Sequence, residues 1–496
     1  MSPENEKPRD EFPVRARHLL RQRAVWVLPL VLASVVVAAM TALYLGSAVD
    51  PQVHVRGLPV EVVNGDRRAT LGTEHVDLGK LIEDGLRTSP AVSHRLRLEL
   101  VTLPEAERAM SRGHAYATIV IPPDFTASLL AKAGLPTTGT TGDGSLQLLT
   151  NPRAGTLAVS LATGILQPAV ARASRAVSAQ LTAAAGAGTQ DVATTAFLAN
   201  PVTVTTSQFH PPPDDSALGL SAFYLALLTL MCGFLTGTIL HGTVDAALGY
   251  GASEVGPRWT QLQPKAISRW RTLLIKWAMV AVLTAVVTGF MIAVAAGGLS
   301  MDAPHPLLLW LYTWLCAASV AAGTIVLFAA LGTPGQLAAL LLFVYAGLAS
   351  AGGTVPIEAL PPFFRLLSEA EPLRQILTGD RAILYFDAQA DAGLTRGVVA
   401  AAIGLACWLL AGTLIVRWYD HRAMHRMTPD LLAYVGRAVE NYQPHERDEA
   451  DRAAAKAAAD VVPRRLPPAP PPPPPADPPA LPPPDNLTAD GPGLDP

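Results

Sequence analysis

The chain has 496 residues, half of them hydrophobic and only 16% charged, whereas a soluble domain carries about 25% charged residues. The apolar residues come in clusters, which excludes an ordinary soluble domain and identifies an integral membrane protein. A net charge of −3 offers nothing to nucleic acid, and Cys232, Cys316 and Cys407 each lie inside an apolar run, which predicts small buried hydrophobes and no disulfide framework.

Residues 1–24 form a basic N-terminus with Arg15, Arg17, Arg21 and Arg23. The first predicted span is 25–46. GSA at 46–48 would pass as a cleavage site, but the apolar core exceeds the roughly 7–15 residues of a signal peptide, so a retained signal anchor is expected. An outer domain follows, 47–216, in which strands and helices alternate. LPVEVVN (58–64) reads as a strand and DLGKLIEDGLR (77–87) as an amphipathic helix. RLRLELV (95–101) reads as a half-buried strand, and PEAERAMSRGH (104–114) as a helix stopped at Gly113. AYATIVIP (115–122) is a buried strand and PDFTASLLAKAG (123–134) a helix. LQLLT (146–150) is expected to be the last strand, before an alanine-rich helix at about 154–185. This order predicts a small α/β sheet domain with some parallel pairing.

No chemistry is expected of that domain. His75, His94, His114 and His210 are scattered without metal-ligand spacing, and Glu61 and Asp84 read as a solvated face. Neither G-x-S-x-G nor G-x-x-x-x-G-K-[ST] occurs. No catalytic residue, cofactor or metal is therefore expected, and the chain does not read as an enzyme.

Further apolar runs lie at about 217–240, 273–298, 306–331, 336–351 and 397–416, giving roughly six spans and a membrane domain over 217–426. Between the second and third spans, 241–272 is expected to hold an interfacial helix with Arg258, Trp259, Lys265, Arg269, Trp270 and Arg271. It reads either as a coupling helix pushed by an ATPase or as plain membrane anchoring. Lys276 is expected to snorkel to the headgroups, and GFLTG, with Gly233 and Gly237, to pack helices. So few ionisable groups lie in the spans that a proton- or ion-coupled transporter is not expected. Arginines and lysines before span one, between spans two and three, and after span six (Arg417, Arg422, Arg426) fall on one side. That side is expected to be cytoplasmic, with both termini inside.

After the fifth span comes AGGTVPIEALPPFFRLLSEAEPLRQI (351–376). Gly352 and Gly353 permit a sharp turn. Pro361 and Pro362 can open one short helix with apolar Phe363 and Phe364, and Pro372 a second, running to Gly379. Uncovered non-helical backbone is costly at membrane depth, so an external re-entrant segment is expected over 352–380. Pro356 belongs to it, with Glu358, Glu369 and Glu371 at its water-facing edge. It reads as the outer lip of a translocation path or dimer seam; the alternative is an amphipathic segment lying on the lipid. Residues 427–462 read as a charged helical segment. The Pro-rich tail, 463–496, is expected to be extended and disordered, as a ligand for a proline-recognising domain or a spacer.

Four stretches carry a family resemblance: PVEVVNGD (59–66), GHAYATIVIPPDFTASLL (113–130), LLTNPRAG (148–155) and AGGTVPIEALPPFFRLLSEAEPLRQIL (351–377). They resemble the YhgE/Pip (phage-infection-protein) group and its DUF3533-type relatives in the ABC-2 permease superfamily, over about residues 20–425. The resemblance implies an α-helical polytopic plasma-membrane protein with an extracellular α/β domain between the first two spans. It implies a homo- or heterodimer in the lipid bilayer, a separate ATPase subunit, a comparable re-entrant pair, and an amphipathic or lipid-linked substrate. The alternative is a non-transporting surface receptor or assembly scaffold. The Pro-rich tail departs from the family pattern.

Overall fold

The computed structural model describes residues 23–71, 74–137, 141–186 and 191–422, with 424, 433, 452 and 453. Arg15, Arg17, Arg21, Arg426, nearly all of the charged stretch 427–462 and the tail 463–496 lie outside the described residues.

Helix α1 (Arg23–Ala48) is predominantly apolar after Arg23, and Trp26, Leu30 and Val35 on it are exposed. The sheet domain follows. Its strands are β1 (Leu58–Asn64), β2 (Leu96–Leu100), β3 (Ala117–Ile121), β4 (Leu146–Thr150) and β5 (Val204–Gln208). Their spatial order is β2-β1-β3-β4-β5. β1 runs parallel to β2 and β3, β3 antiparallel to β4, and β4 parallel to β5. The intervening helices are α2 (Leu78–Thr88), α3 (Leu103–Ser111), α4 (Phe125–Lys132), α5 (Thr156–Ala185) and α6 (Val192–Ala199). β3 is central and wholly buried, as its unbroken apolar run ATIVI requires when both sheet faces are covered. Leu58, Val60 and Ile119 join Ile82, Leu86, Ala173 and Val177 in the main core. On the opposite face, Val63 and Val120 pack with Ala106 of α3.

Two expectations for this domain fail. LQLLT is not the last strand: α5 and α6 lead on to β5, paired with β4. All five β5 residues, VTTSQ, are exposed, so no apolar alternation marked it. Glu61 is not on a solvated face. It shares the α3-covered side of β1 with Val63, is buried, and accepts a hydrogen bond from Thr118 Oγ1 at 3.5 Å. Burial, with repulsion from Glu99, pushes its carboxyl from 4.5 up to about 7. The folded domain thus binds the proton more tightly than the unfolded chain does, and loses stability as pH rises from about 4.5 to about 7. Protease susceptibility of the sheet domain should rise across that window, and Glu61→Gln should flatten the rise; an unchanged profile in the variant would count against this account.

The rest is a helical bundle. α7 (Ser221–Ala247) is followed by a hairpin of β6 (Ser253–Val255) and β7 (Arg258–Thr260), then α8 (Arg269–Ile292) and α9 (Pro306–Leu331). A shorter apolar helix, α10 (Gly335–Ser350), comes next. α11 (Pro362–Ala370), α12 (Pro372–Tyr385) and α13 (Leu394–His421) complete the bundle. α9 is its centre, packed on α7, α8, α12 and α13. A Cβ on Gly233 or Gly237 of α7 would crowd the Ala317 or Ala321 carbonyl of α9, so GFLTG is a helix-packing face. Val282, Val286 and Phe290 on α8, and Ile403, Leu410 and Leu414 on α13, are exposed, as a lipid-facing surface demands.

Among the described residues, five helices are long and apolar enough to cross a membrane: Pro29–Ala48, Ser221–Ala247, Arg269–Gly298, Pro306–Leu331 and Leu394–His421. The fifth expected span, 336–351, is instead α10. Sixteen residues reach about 24 Å at 1.5 Å each, short of a hydrocarbon core of about 30 Å. α10 nonetheless carries the chain from one end of the bundle to the other. It starts beside Leu327 and Phe328 at the far end of α9, and the chain after it meets the sheet domain at Glu358.

Candidate functional site: a helix pair beneath the sheet domain and a charged cavity at the far end

The segment after α10 turns at Gly352, whose φ is +71°, and a Cβ on Gly353 would overlap the Phe223 ring of α7. Pro356 is buried and precedes a single turn, Ile357–Ala359. Pro361 caps α11 and Pro362 opens it, the position where a missing N–H costs nothing. Phe363 and Leu366 are exposed, while Phe364 is buried against Gly46 of α1. The expected site residues Gly352, Gly353, Pro356, Glu358, Pro361, Pro362, Phe363, Phe364 and Pro372 therefore fall on one continuous turn-and-helix unit.

α12 differs from expectation in length and depth. It runs through Gly379 to Tyr385, because Gly379 is not a stop but a contact. Tyr312 of α9 lies against it, and a Cβ there would overlap the phenol ring. The same phenol crowds Gly397 of α13 and donates to the Gln375 carbonyl at 2.7 Å. Three helices thus meet on Tyr312. Glu371, expected at a water-facing edge, is buried. It is the N-cap of α12, and its Oε2 accepts the Leu373 N–H at 2.6 Å, where the helix dipole favours an anion. Glu369 is at the surface, paired with Arg374 at 2.6 Å and Arg396 at 2.8 Å. Glu358 is half-buried against the sheet domain.

The pair is tied to that domain at both ends. Arg56 N–H donates to the Glu358 carbonyl at 2.9 Å, and Tyr116 OH to its carboxylate at 3.4 Å. Arg153 Nη1 donates to the Tyr385 carbonyl at 3.2 Å. Just beyond α12, Arg112 pairs with Asp391 at 2.9 Å.

At the other end of the bundle a cavity of about 480 Å³ opens among α7, α8, α9 and α13, lined by His241, Asp245, Arg269, Lys276, Phe328 and Tyr419 among others. Lys276 does not snorkel. It is 3% exposed and donates to Asp245 Oδ1 at 2.7 Å, with His241 Nδ1 at 3.0 Å. His241 stacks on Phe328, ring centres 4.2 Å apart. Helical spacing explains the cluster: His241 and Asp245 are four apart on α7 and present one face to α8.

The expected interfacial helix over 241–272 is not formed. α7 continues to Ala247, and SEVGPRWT closes as a hairpin with Val255 opposite Arg258. Gly256 supplies the left-handed φ of +59° that a two-residue turn needs. Arg258 and Trp259 are exposed on that hairpin. The Lys265 N–H donates to the Leu248 carbonyl at 3.0 Å. Ser268 caps α8 through the Arg271 N–H. Arg269 lies over Tyr419 at 5.2 Å and Arg417 over Trp270 at 5.6 Å. The six residues therefore divide, with Arg258 and Trp259 on the hairpin, Lys265 in the connection after it, and Arg269, Trp270 and Arg271 on the first turn of α8, where Arg269 and Trp270 bind to α13.

The family model DUF3533, described as a protein of unknown function, matches residues 29–408. The chain belongs to the DUF3533 family. The match takes in α1, the sheet domain and the helix pair, in agreement with the resemblance carried by the four sequence stretches. No curated protein and no solved structure matches the chain. Within this DUF3533 chain, sequence reasoning missed Tyr312, Asp380 and the His241–Asp245–Lys276 cluster. The i, i+4 spacing of His241 and Asp245 at the end of an apolar run was the available signal; for Asp380, reading Gly379 as a helix stop removed it.

Proposed function

We propose that this protein is a permease of the ABC-2 kind that moves an amphipathic or lipid-linked molecule across the plasma membrane. In this reading it works as a homo- or heterodimer, with energy from an ATPase on a separate chain. The sheet domain lies outside, and the basic far end of the bundle faces the cytoplasm, as its arginines and lysines favour. The 352–380 unit is the external re-entrant gate. The reading is carried by one observation: α12 is buried among α7, α9 and α13, yet the unit is bonded to the sheet domain through Glu358 and Tyr385. A movement of the domain would therefore reach the middle of the bundle. The exposed hairpin with Arg258 and Trp259, and the Arg269–Tyr419 and Trp270–Arg417 contacts, form the surface on which an ATPase would act.

Single cysteines placed along 356–376, with Cys232, Cys316 and Cys407 replaced, test the gate. An impermeant maleimide added on the sheet-domain side should label positions 363 and 366 and spare 364 and 373. Equal labelling on all faces would reduce the unit to a surface segment. An ATPase that co-purifies with the wild type, but not with a variant reversing the charges of Arg258, Lys265 and Arg269, supports the permease. Co-purification of neither favours the assembly scaffold.

A further inference from the structure

We propose that Asp380 is a proton-binding site inside the membrane domain, and that release of its proton accompanies opening of the α11–α12 pair. This deepens the reading of the pair as a gate and rests on it.

Asp380 is 0% exposed, and neither carboxylate oxygen has a hydrogen-bond partner among the described residues. It follows Gly379, the residue pressed on Tyr312, and lies within electrostatic reach of Tyr312 and Cys316 on α9. Cys316 is about 15 Å along α9 from Pro306 at 1.5 Å per residue, so Asp380 lies well below the sheet-domain end. Among the described residues no cation lies within ion-pair distance of it. From α9 it is faced by the phenol and the thiol. α7 carries only Tyr224 and Cys232 as titratable groups from Ser221 to Leu240, α10 only Tyr345, and α13 only Cys407 between Arg396 and Arg417. On α12 itself, Arg374 is taken by Glu369 and Ser368, Arg381 reaches the Gly353 carbonyl, Glu371 caps the helix, and Tyr385 bonds Ser221.

An unpaired carboxylate in such a place is among the costliest groups a fold can hold. The neutral acid removes most of that cost, so the closed packing selects the protonated form. Separation of α12 from α9 would admit water and remove the penalty on the anion. The step is one proton transfer, from the Asp380 carboxyl to water, with a single O–H bond broken and no redox partner. Closure reverses it. Asp380 lies on the inserted helix α12, outside the spans in which few ionisable groups were expected.

The test uses the full-length protein in lipid nanodiscs without substrate or ATPase. Spin labels on cysteines at Leu366 and Val398 report the separation of the pair from α13. A longer-distance population should grow as pH is raised from 5 to 9, by about tenfold per unit below its midpoint. Asp380→Asn should hold the short distance throughout, and Asp380→Glu should keep the transition with a displaced midpoint. In parallel, the infrared carbonyl band of protonated carboxylic acids should hold, besides that of Glu61, a component that vanishes over the same pH range as the distance change in the wild type and is displaced in Asp380→Glu. That measurement holds even if the Asn variant fails to fold. A pH-independent distance distribution, an unchanged transition in Asp380→Asn, or an Asp380-dependent band component that titrates without any change in distance each overturns the proposal. Loss of the ATPase association in the separate experiment would leave these results standing, so a failure of the permease reading is distinguishable from a failure of this one.

Discussion

Lys276→Met is expected to destabilise the purified protein by roughly 3–5 kcal/mol, the usual loss when one member of a buried ion pair is removed. The cation of Lys276 lies 2.7 Å from Asp245, at a point where neither side chain is more than 14% exposed. Methionine keeps the volume of the stem and removes the charge, so Asp245 loses that cation at the wall of the cavity. A lysine reaching out to headgroups would respond differently, since exposed pairs contribute about 0–1 kcal/mol. The two outcomes are far enough apart for thermal unfolding in detergent to decide. Lys276→Met combined with Asp245→Leu should recover most of the loss, because replacing a whole buried pair with apolar groups is often neutral. If the single variant melts with the wild type, the pair is not what orders this end of the bundle.

Gly379→Ala is the second large effect, and its sign is the informative part. In an exposed helix interior, glycine to alanine stabilises by up to about 1 kcal/mol. At Gly379 the added methyl would overlap the Tyr312 ring, which itself is held between α12 and α13. Overpacking of this kind costs about 1–3 kcal/mol, so the variant should melt earlier. Tyr312→Ala makes room for the methyl, and the pair should show a coupling energy of about 0.5–3 kcal/mol in a double-mutant cycle. A stabilised Gly379→Ala would show that α12 is not docked on α9, and the gate reading would go with it.

Much of the architecture was legible along the chain because it follows from local regularities. β1 and β4 lie where LPVEVVN and LQLLT stand, and the helix starts at Pro362 and Pro372 follow from what proline can and cannot do. β5 was illegible because an exposed edge strand buries nothing and leaves no apolar pattern. The hairpin at 253–260 was hidden for a related reason: its tryptophan and arginine are as typical of an interfacial helix as of a short exposed turn.

The sequence by itself determined that lipid surrounds this protein, where the long apolar helices lie, and which segments alternate to build the sheet. Those properties need only hydrophobic length and period, and both are written within twenty or thirty neighbouring residues. Only the tertiary structure decided that Glu61, Glu371, Asp380 and Lys276 are inside, that α12 continues past Gly379, and that α10 is a short helix. The fate of a polar side chain depends on what stands opposite it. Here that is a strand 57 residues away for Glu61 and Thr118, or α7 for Lys276, and no local pattern encodes a partner so distant in the chain.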